Sequence, residues 1–139
     1  MDLRSINERY AEIARDLIET EDALVDISNS QATIMYLSSE HRKMGDGKVI
    51  FAQCEKVADK YKWGIQCDFT ITVFEPNVEG FTEDQLRILL FHELLHVGIR
   101  FNEDGTETYS IQPHDLEDFK LIIDRYGTEW GRTERGENE

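Results

Sequence analysis

The 139-residue chain is strongly acidic, since 29 Asp and Glu residues against 15 Lys and Arg give a formal net charge of −14 at pH 7. A surface of this charge repels phosphate backbones and anionic membranes, so direct nucleic-acid binding is disfavoured. The hydrophobic content of 40% predicts a folded protein with a sizeable core. We expect one domain over residues 1–127 and a flexible polar tail over residues 128–139.

The first predicted elements are a helix and a strand. The segment "SINERYAEIARDLIET" has apolar residues at helical spacing, with Ser5 as a candidate N-cap and Glu8 three residues later. The segment "ATIMYLSS" has the β-branched and aromatic content of a strand, whereas the glycine-containing "EHRKMGDGK" predicts a loop.

Two more strands precede the clearest helix. The segment "VIFAQCEKV" alternates as a half-exposed edge strand does, and "CDFTITVFEP" predicts a buried strand ended by Pro76. The segment "FTEDQLRILLFHELLHVGIR" predicts a long helix capped by Thr82, with an apolar face that extends to Val97.

A hairpin and a last helix complete the predicted order. Asp104-Gly105 is a turn sequence between two short extended pieces. The segment "PHDLEDFKLIIDRYG" predicts a helix with Pro113 near its start and Gly127 as its stop.

The two cysteines, Cys54 and Cys67, lack C-x-x-C spacing, and no apolar stretch suits a secretion signal or a bilayer crossing. We therefore expect a cytoplasmic protein of a bacterium or of a phage-infected host cell, with reduced thiols and no membrane segment. A disulfide between the two cysteines stays open at this point.

The motif "HELLH" at residues 92–96 carries the chemistry. On a helix, His92 and His96 lie on one face, where two imidazole nitrogens can each approach one metal ion to 2.0–2.1 Å. Glu93 is rotated by about 100°, beside the ion rather than on it, as a general base requires. The alternative is a helix whose histidines make only local hydrogen bonds. Three of the four histidines fall in or just after this helix, which favours a metal site.

A catalytic zinc site needs a third protein ligand and leaves the fourth position to water. His114 follows the metal helix after one connection, and neighbouring elements pack together. Glu117, one helical turn later, is the alternative ligand, and His41 could also approach from its loop. Imidazole is the commoner ligand, which favours His114.

The segments "CDFTITVFEPNVEGFTEDQLRILLFHELLHVGI", "YSIQPHDLEDF" and "DRYG" occur in the order found in the phage metallopeptidase family. The chain resembles this family from "ATIMYLSS" to Gly127, and the family is similar to SprT-like and Spartan-type zinc peptidases. The resemblance implies zinc on His92, His96 and His114 with Glu93 as base. It also implies a small zincin-like α+β fold, in which a short mixed sheet packs against the HExxH helix beside N-terminal and C-terminal helices.

The sequence thus predicts a zinc metallopeptidase that acts on a protein or peptide substrate. The substrate is expected to pair along the edge strand "VIFAQCEKV". One alternative is a non-catalytic zinc module whose fourth ligand is Glu117 or Cys54. The other is an acidic phage-encoded decoy that inhibits a host protein.

Overall fold

The computed structural model describes residues 3–114, 119–127 and 130–131, and only the backbone of Lys120. The strands are β1 (Arg4–Ile6), β2 (Ile34–Ser39), β3 (Met44–Gly45), β4 (Lys48–Val49), β5 (Ala52–Lys56), β6 (Phe69–Phe74), β7 (Val97–Phe101) and β8 (Glu107–Ile111). The α-helices are α1 (Glu8–Thr20), α2 (Val25–Asn29), α3 (Glu83–Leu94) and α4 (Lys120–Tyr126). The predicted α+β class is confirmed.

The main sheet is mixed and has the strand order β1-β2-β6-β5. Strand β2 runs parallel to β6, whereas β1 and β5 run antiparallel to their neighbours. Each of the three predicted strand segments contains a strand of this sheet, although β5 begins only at Ala52 and Val49 belongs to β4. Strand β5 lies at an edge of the sheet, as its half-exposed pattern predicts. The segment predicted as a loop contains the small β3–β4 hairpin, which turns through Asp46 and Gly47, both at positive φ.

The core lies between one face of this sheet and the helices α1 and α3. Alternate residues of β6, namely Phe69, Ile71 and Val73, are fully buried on that face. Residues at helical spacing on α1 and α3 complete the apolar cluster, and they include Tyr10, Ala14, Leu17, Leu86, Leu89, Leu90 and Leu94. An ion pair of 2.7 Å between Arg87 and Asp16 joins the two helices at the surface.

The N-terminal ends of the helices show one wrong prediction and one correct one. Asn7, not Ser5, caps α1, because its side chain accepts a hydrogen bond from the Tyr10 amide. Ser5 lies in β1 and pairs with Ser38 of β2. Thr82 caps α3 as predicted and forms a capping box with Gln85, in which each side chain bonds the other residue's backbone amide.

Helix α3 is shorter than predicted, since the sequence pattern extended it to Val97. It ends at Leu94, and β7 begins at Val97 and pairs antiparallel with β8 through the predicted Asp104-Gly105 turn. Val97 and Ile99 are β-branched residues that favour a strand, and the intervening Gly98 lets the two hairpin strands approach closely. Val97, which fitted the apolar periodicity of a helix, therefore belongs to a hairpin strand.

The last helix also differs from its prediction. Pro113 and His114 lie outside any helix, and α4 begins at Lys120. Gly127 ends it as predicted, with φ of 78° and an amide that donates to the Ile123 carbonyl at 2.8 Å. Of the predicted flexible tail, only Trp130 and Gly131 belong to the described residues.

Both cysteines are free thiols, so the disulfide that the sequence left open does not form. Cys67 is buried, and Cys54 is half-buried on β5. Among the described helices, none combines the length and apolar character that a bilayer crossing requires.

Asp68 ties the start of β6 to the start of β2. Its carboxylate accepts hydrogen bonds from the Thr33 amide at 2.9 Å and from Lys62 Nζ at 3.0 Å. Partial burial by itself would raise the pKa of Asp68, but these hydrogen bonds outweigh it and hold the pKa below its usual range.

Replacing this carboxylate should change how stability depends on pH. A carboxyl with a lowered folded-state pKa stabilises the fold above its unfolded pKa of about 3.9, and this contribution is lost as the pH falls through the folded-state pKa. We expect Asp68→Asn to lower the unfolding free energy at pH 7 by about 1–2 kcal/mol and to reduce the acid-induced loss below about pH 4. Urea denaturation at a series of pH values measures both effects.

Asp59→Asn is the matched control, because Asp59 also contacts Lys62 but its side chain is 94% exposed. Its unfolding free energy should stay within about 0.5 kcal/mol of wild type. Equal effects of the two substitutions would contradict the role assigned to Asp68.

Candidate metal centre

His92 lies in the last turn of α3, directly after the fully buried Phe91. Its side chain is only 12% exposed, because the rings of neighbouring residues surround it. These rings, with centroids within 6.0 Å, belong to His96, His114, Phe119 and Trp130. The helix therefore presents His92 to a cluster of rings, of which His114 is the exposed member.

His96 lies in the turn between α3 and β7, not within the helix as predicted. Its backbone carbonyl accepts a hydrogen bond from the Gln112 amide at 2.6 Å, and its Nδ1 lies 2.6 Å from the Gln112 carbonyl oxygen. Because a carbonyl oxygen can only accept, Nδ1 carries the proton and donates. In the neutral imidazole this leaves the lone pair on Nε2, the arrangement that metal-bound histidines commonly show.

His114 reaches the cluster through the β7–β8 hairpin. The pairing of Val97 with Ile111 continues into the His96–Gln112 pair, and the chain then needs only Pro113 to arrive at His114. His114 Nε2 lies 2.9 Å from His92 Nε2, and its ring centroid lies 4.5 Å from that of His96. Three histidines that are distant in sequence by up to 22 residues thus meet at one point.

The three imidazoles fit a zinc-type ion. One ligand nitrogen from each of His92, His96 and His114 lies within 4.8 Å of the others. Two nitrogens that each lie 2.0–2.1 Å from a tetrahedral ion are about 3.3 Å apart, close to the 2.9 Å between His92 and His114. Three imidazoles also suit zinc chemically, and they leave a fourth position for water or substrate. The role of the three residues as ligands stays a prediction.

Glu93 projects beside the histidines from the same turn of α3. It is one of the few buried polar residues, with 5% of its surface exposed, and its Oε2 lies 3.8 Å from His92 Nε2. This distance is too long for a hydrogen bond, so the carboxylate lies beside the His92 imidazole at ion-pair distance. A buried carboxylate is costly in an apolar helix and points to a chemical role.

Two aromatic residues, Phe119 and Trp130, belong to the site although the sequence did not predict them there. The ring of Phe119 is buried, and its centroid lies 4.9–5.4 Å from those of all three histidines. Trp130 lies 6.0 Å from His92, although it falls in the segment predicted as a flexible tail. No local pattern marks either residue, because only tertiary packing brings the C-terminal part of the chain back to α3.

Other predicted candidates lie elsewhere. His41 is not in the three-histidine group, and its ring packs edge-on against Phe74 at 6.4 Å. Cys54 is not in that group either, and burial raises the pKa of its thiol well above the usual range, with the charges of Glu93 and Glu55 raising it further. The alternative ligand Glu117 lies outside the described residues.

Gly98 should control how well the hairpin positions the histidines. A Cβ at this position would lie 2.6 Å from Ser110 Oγ and 3.1 Å from the Ser110 carbonyl oxygen on the paired strand. We therefore expect Gly98→Ala to spread the hairpin, shift the nearby His96–Gln112 pair and weaken zinc binding by about tenfold or more. Competition with a chromophoric chelator measures this affinity.

Gly64→Ala is the matched control, since a Cβ there meets nothing within 4 Å and should leave zinc affinity unchanged. Wild-type affinity in Gly98→Ala would show that the hairpin spacing does not position the ligands.

Comparison with known proteins identifies the family of the chain. The family model described as "Putative phage metallopeptidase" matches residues 4–136, nearly the whole chain. No curated protein and no solved structure gave a significant match. The matched range includes His92, Glu93, His96 and His114. The chain therefore belongs to the phage metallopeptidase family.

Proposed function

We propose that the protein is a zinc-dependent peptidase in which His92, His96 and His114 hold the metal. The observation that carries this proposal is the convergence of three imidazoles beside a buried carboxylate. Membership of a family described as metallopeptidases supports it. The cytoplasm of a phage-infected bacterium is the proposed compartment, where the two free thiols would stay reduced.

The chemistry divides between the metal and Glu93. When bound, zinc supplies a Lewis acid that polarises a carbonyl oxygen and lowers the pKa of water. Glu93 accepts the proton of the attacking water on a carboxylate oxygen and then delivers it to the leaving amine. Its 3.8 Å separation from His92 Nε2 suits this role, because the carboxylate can reach a water beside the ligands without occupying a ligand position.

The substrate is a polypeptide that binds as an added strand along β5. This strand pairs with β6 through one edge, and both α3 and β8 lie beside it. A peptide would therefore pair along the part of its other edge that is near the metal helix. Backbone pairing provides affinity that depends little on sequence, and side-chain pockets then provide specificity. The net charge of −14 favours neutral or basic polypeptides and disfavours direct nucleic-acid binding.

Removing the third ligand tests the metal site. We expect about one zinc ion per wild-type chain and a loss of zinc affinity of about 100-fold or more in His114→Ala, because two ligands hold the ion poorly. Elemental analysis and chelator competition measure both quantities. His41→Ala is the matched control and should bind zinc as wild type does, since His41 lies outside the cluster. A wild-type protein that binds no zinc after reconstitution would contradict the proposal.

Removing the base tests the mechanism separately. We expect Glu93→Ala and the isosteric Glu93→Gln to keep zinc but to cleave a labelled, unfolded basic polypeptide at least about 100-fold more slowly than wild type. Zinc content is measured on the same samples, so loss of zinc from Glu93→Gln would make Glu93 structural. A zinc-loaded wild type that cleaves no polypeptide would instead favour a non-catalytic zinc-binding module.

A further inference from the structure

An aromatic cluster adjoins the metal centre on the His92 side. The ring of Phe51 packs edge-on against Phe81, with 5.0 Å between centroids, and lies 6.4 Å from the ring of Trp130. Trp130 in turn lies 6.0 Å from His92. The three aromatic residues are only partly buried, so the cluster reaches the surface beside the site.

The cluster also lies at one end of the edge strand. Phe51 directly precedes β5, and its carbonyl accepts a hydrogen bond from the Phe74 amide at 2.9 Å, which continues the pairing with β6. A peptide that pairs along β5 and reaches the metal centre would therefore pass the Phe51 ring. Because side chains of a strand alternate between faces, one side chain near the cleaved bond would point toward this cluster.

Trp130 is held in the cluster by its backbone as well as by its ring. Its carbonyl accepts a hydrogen bond from Gln85 Nε2 at 3.0 Å. The next residue, Gly131, lies so close to the Phe51 ring that an added Cβ would be 3.0 Å from Phe51 Cε2. The Trp130 side chain thus packs against Phe51 and next to His92, and the Gly131 backbone packs closely beside it.

We propose that Phe51 and Phe81 form a subsite for a large apolar side chain of the substrate next to the cleaved bond, and that Trp130 fills this subsite in the free protein. The inference rests on the proposed peptidase function. Because the Trp130 ring of the chain itself occupies the subsite, the substrate side chain that the subsite accepts is an aromatic or large aliphatic one. Trp130 must leave before such a side chain can enter, so it lowers the affinity for substrates that carry one.

Binding of two chelating probes to the zinc-loaded full-length chain tests this subsite without relying on catalysis. The probes are hydroxamates that differ only in a benzyl or a methyl group beside the chelating atoms. We expect Trp130→Ala to bind the benzyl probe about tenfold more tightly than wild type, because the vacated subsite buries an aromatic ring, and the methyl probe with unchanged affinity. Adding Phe51→Leu to Trp130→Ala should reduce the gain. Isothermal titration calorimetry measures these affinities.

Trp63→Phe provides the control and a second measurement. Trp63 is 86% exposed, so its replacement should leave both affinities unchanged and make Trp130 the only tryptophan. In this variant the benzyl probe should shift Trp130 emission toward that of a solvent-exposed indole, whereas the methyl probe should not. This readout needs no change at Trp130, so it holds even where Trp130→Ala fails to fold.

The outcomes separate the subsite from the peptidase proposal. Equal changes for the two probes, or no change in Trp130→Ala together with unshifted emission, would overturn the subsite and leave the metal centre intact. Trp130 would then only cover the core. A zinc-loaded protein that binds neither probe would overturn the open metal site and the subsite together.

Discussion

The hydrogen-bonded pair of His96 and Gln112 is the constraint on which the site depends. It joins the C-terminal end of α3 to the end of β8 through two short hydrogen bonds. The Gln112 amide donates to the His96 carbonyl, and His96 Nδ1 donates to the Gln112 carbonyl. The pair fixes the His96 ring and determines where the chain goes after β8. His114 then meets His92 because only Pro113 intervenes. The hairpin therefore supplies the third histidine, and its strand spacing matters as much as the helix that carries the motif.

The site lies where the polar residues of α3 meet an otherwise apolar interior. The residues around His92 and Glu93 are buried and apolar, namely Leu89, Leu90, Phe91 and Leu94. Desolvation of the Glu93 carboxylate among them therefore lowers the stability of the fold. That cost is understandable if the carboxylate performs chemistry, since residues that break the local pattern commonly serve function. The strongly acidic surface attracts cations in general, whereas a group of three imidazoles could hold a metal ion.

The edge strand β5 connects the fold to the proposed substrate path. Through one edge it belongs to the sheet, and it lies beside α3, which carries His92 and Glu93. Phe51 at its start belongs to the aromatic cluster that extends to Trp130 and His92. Proteolytic chemistry, backbone pairing and side-chain selection would thus all occur within a few residues of one short strand.

The sequence by itself determined the features that depend on local patterns. Strand composition predicted β2, β5 and β6, and the Thr82 cap predicted the start of α3, because these signals act over a few residues. The motif and the scarcity of histidines also indicated which residues to combine at one site. Their roles as ligands and base stay predictions.

Only the tertiary structure decided where α3 ends and what surrounds the histidines. Apolar residues near Val97 suit both a helix face and a strand, and pairing with β8 favours the strand. The contacts of Phe119 and Trp130 with His92 join parts of the chain that are 27 and 38 residues apart, beyond the reach of any local pattern. Packing of the whole chain creates such contacts, so a sequence pattern cannot contain them.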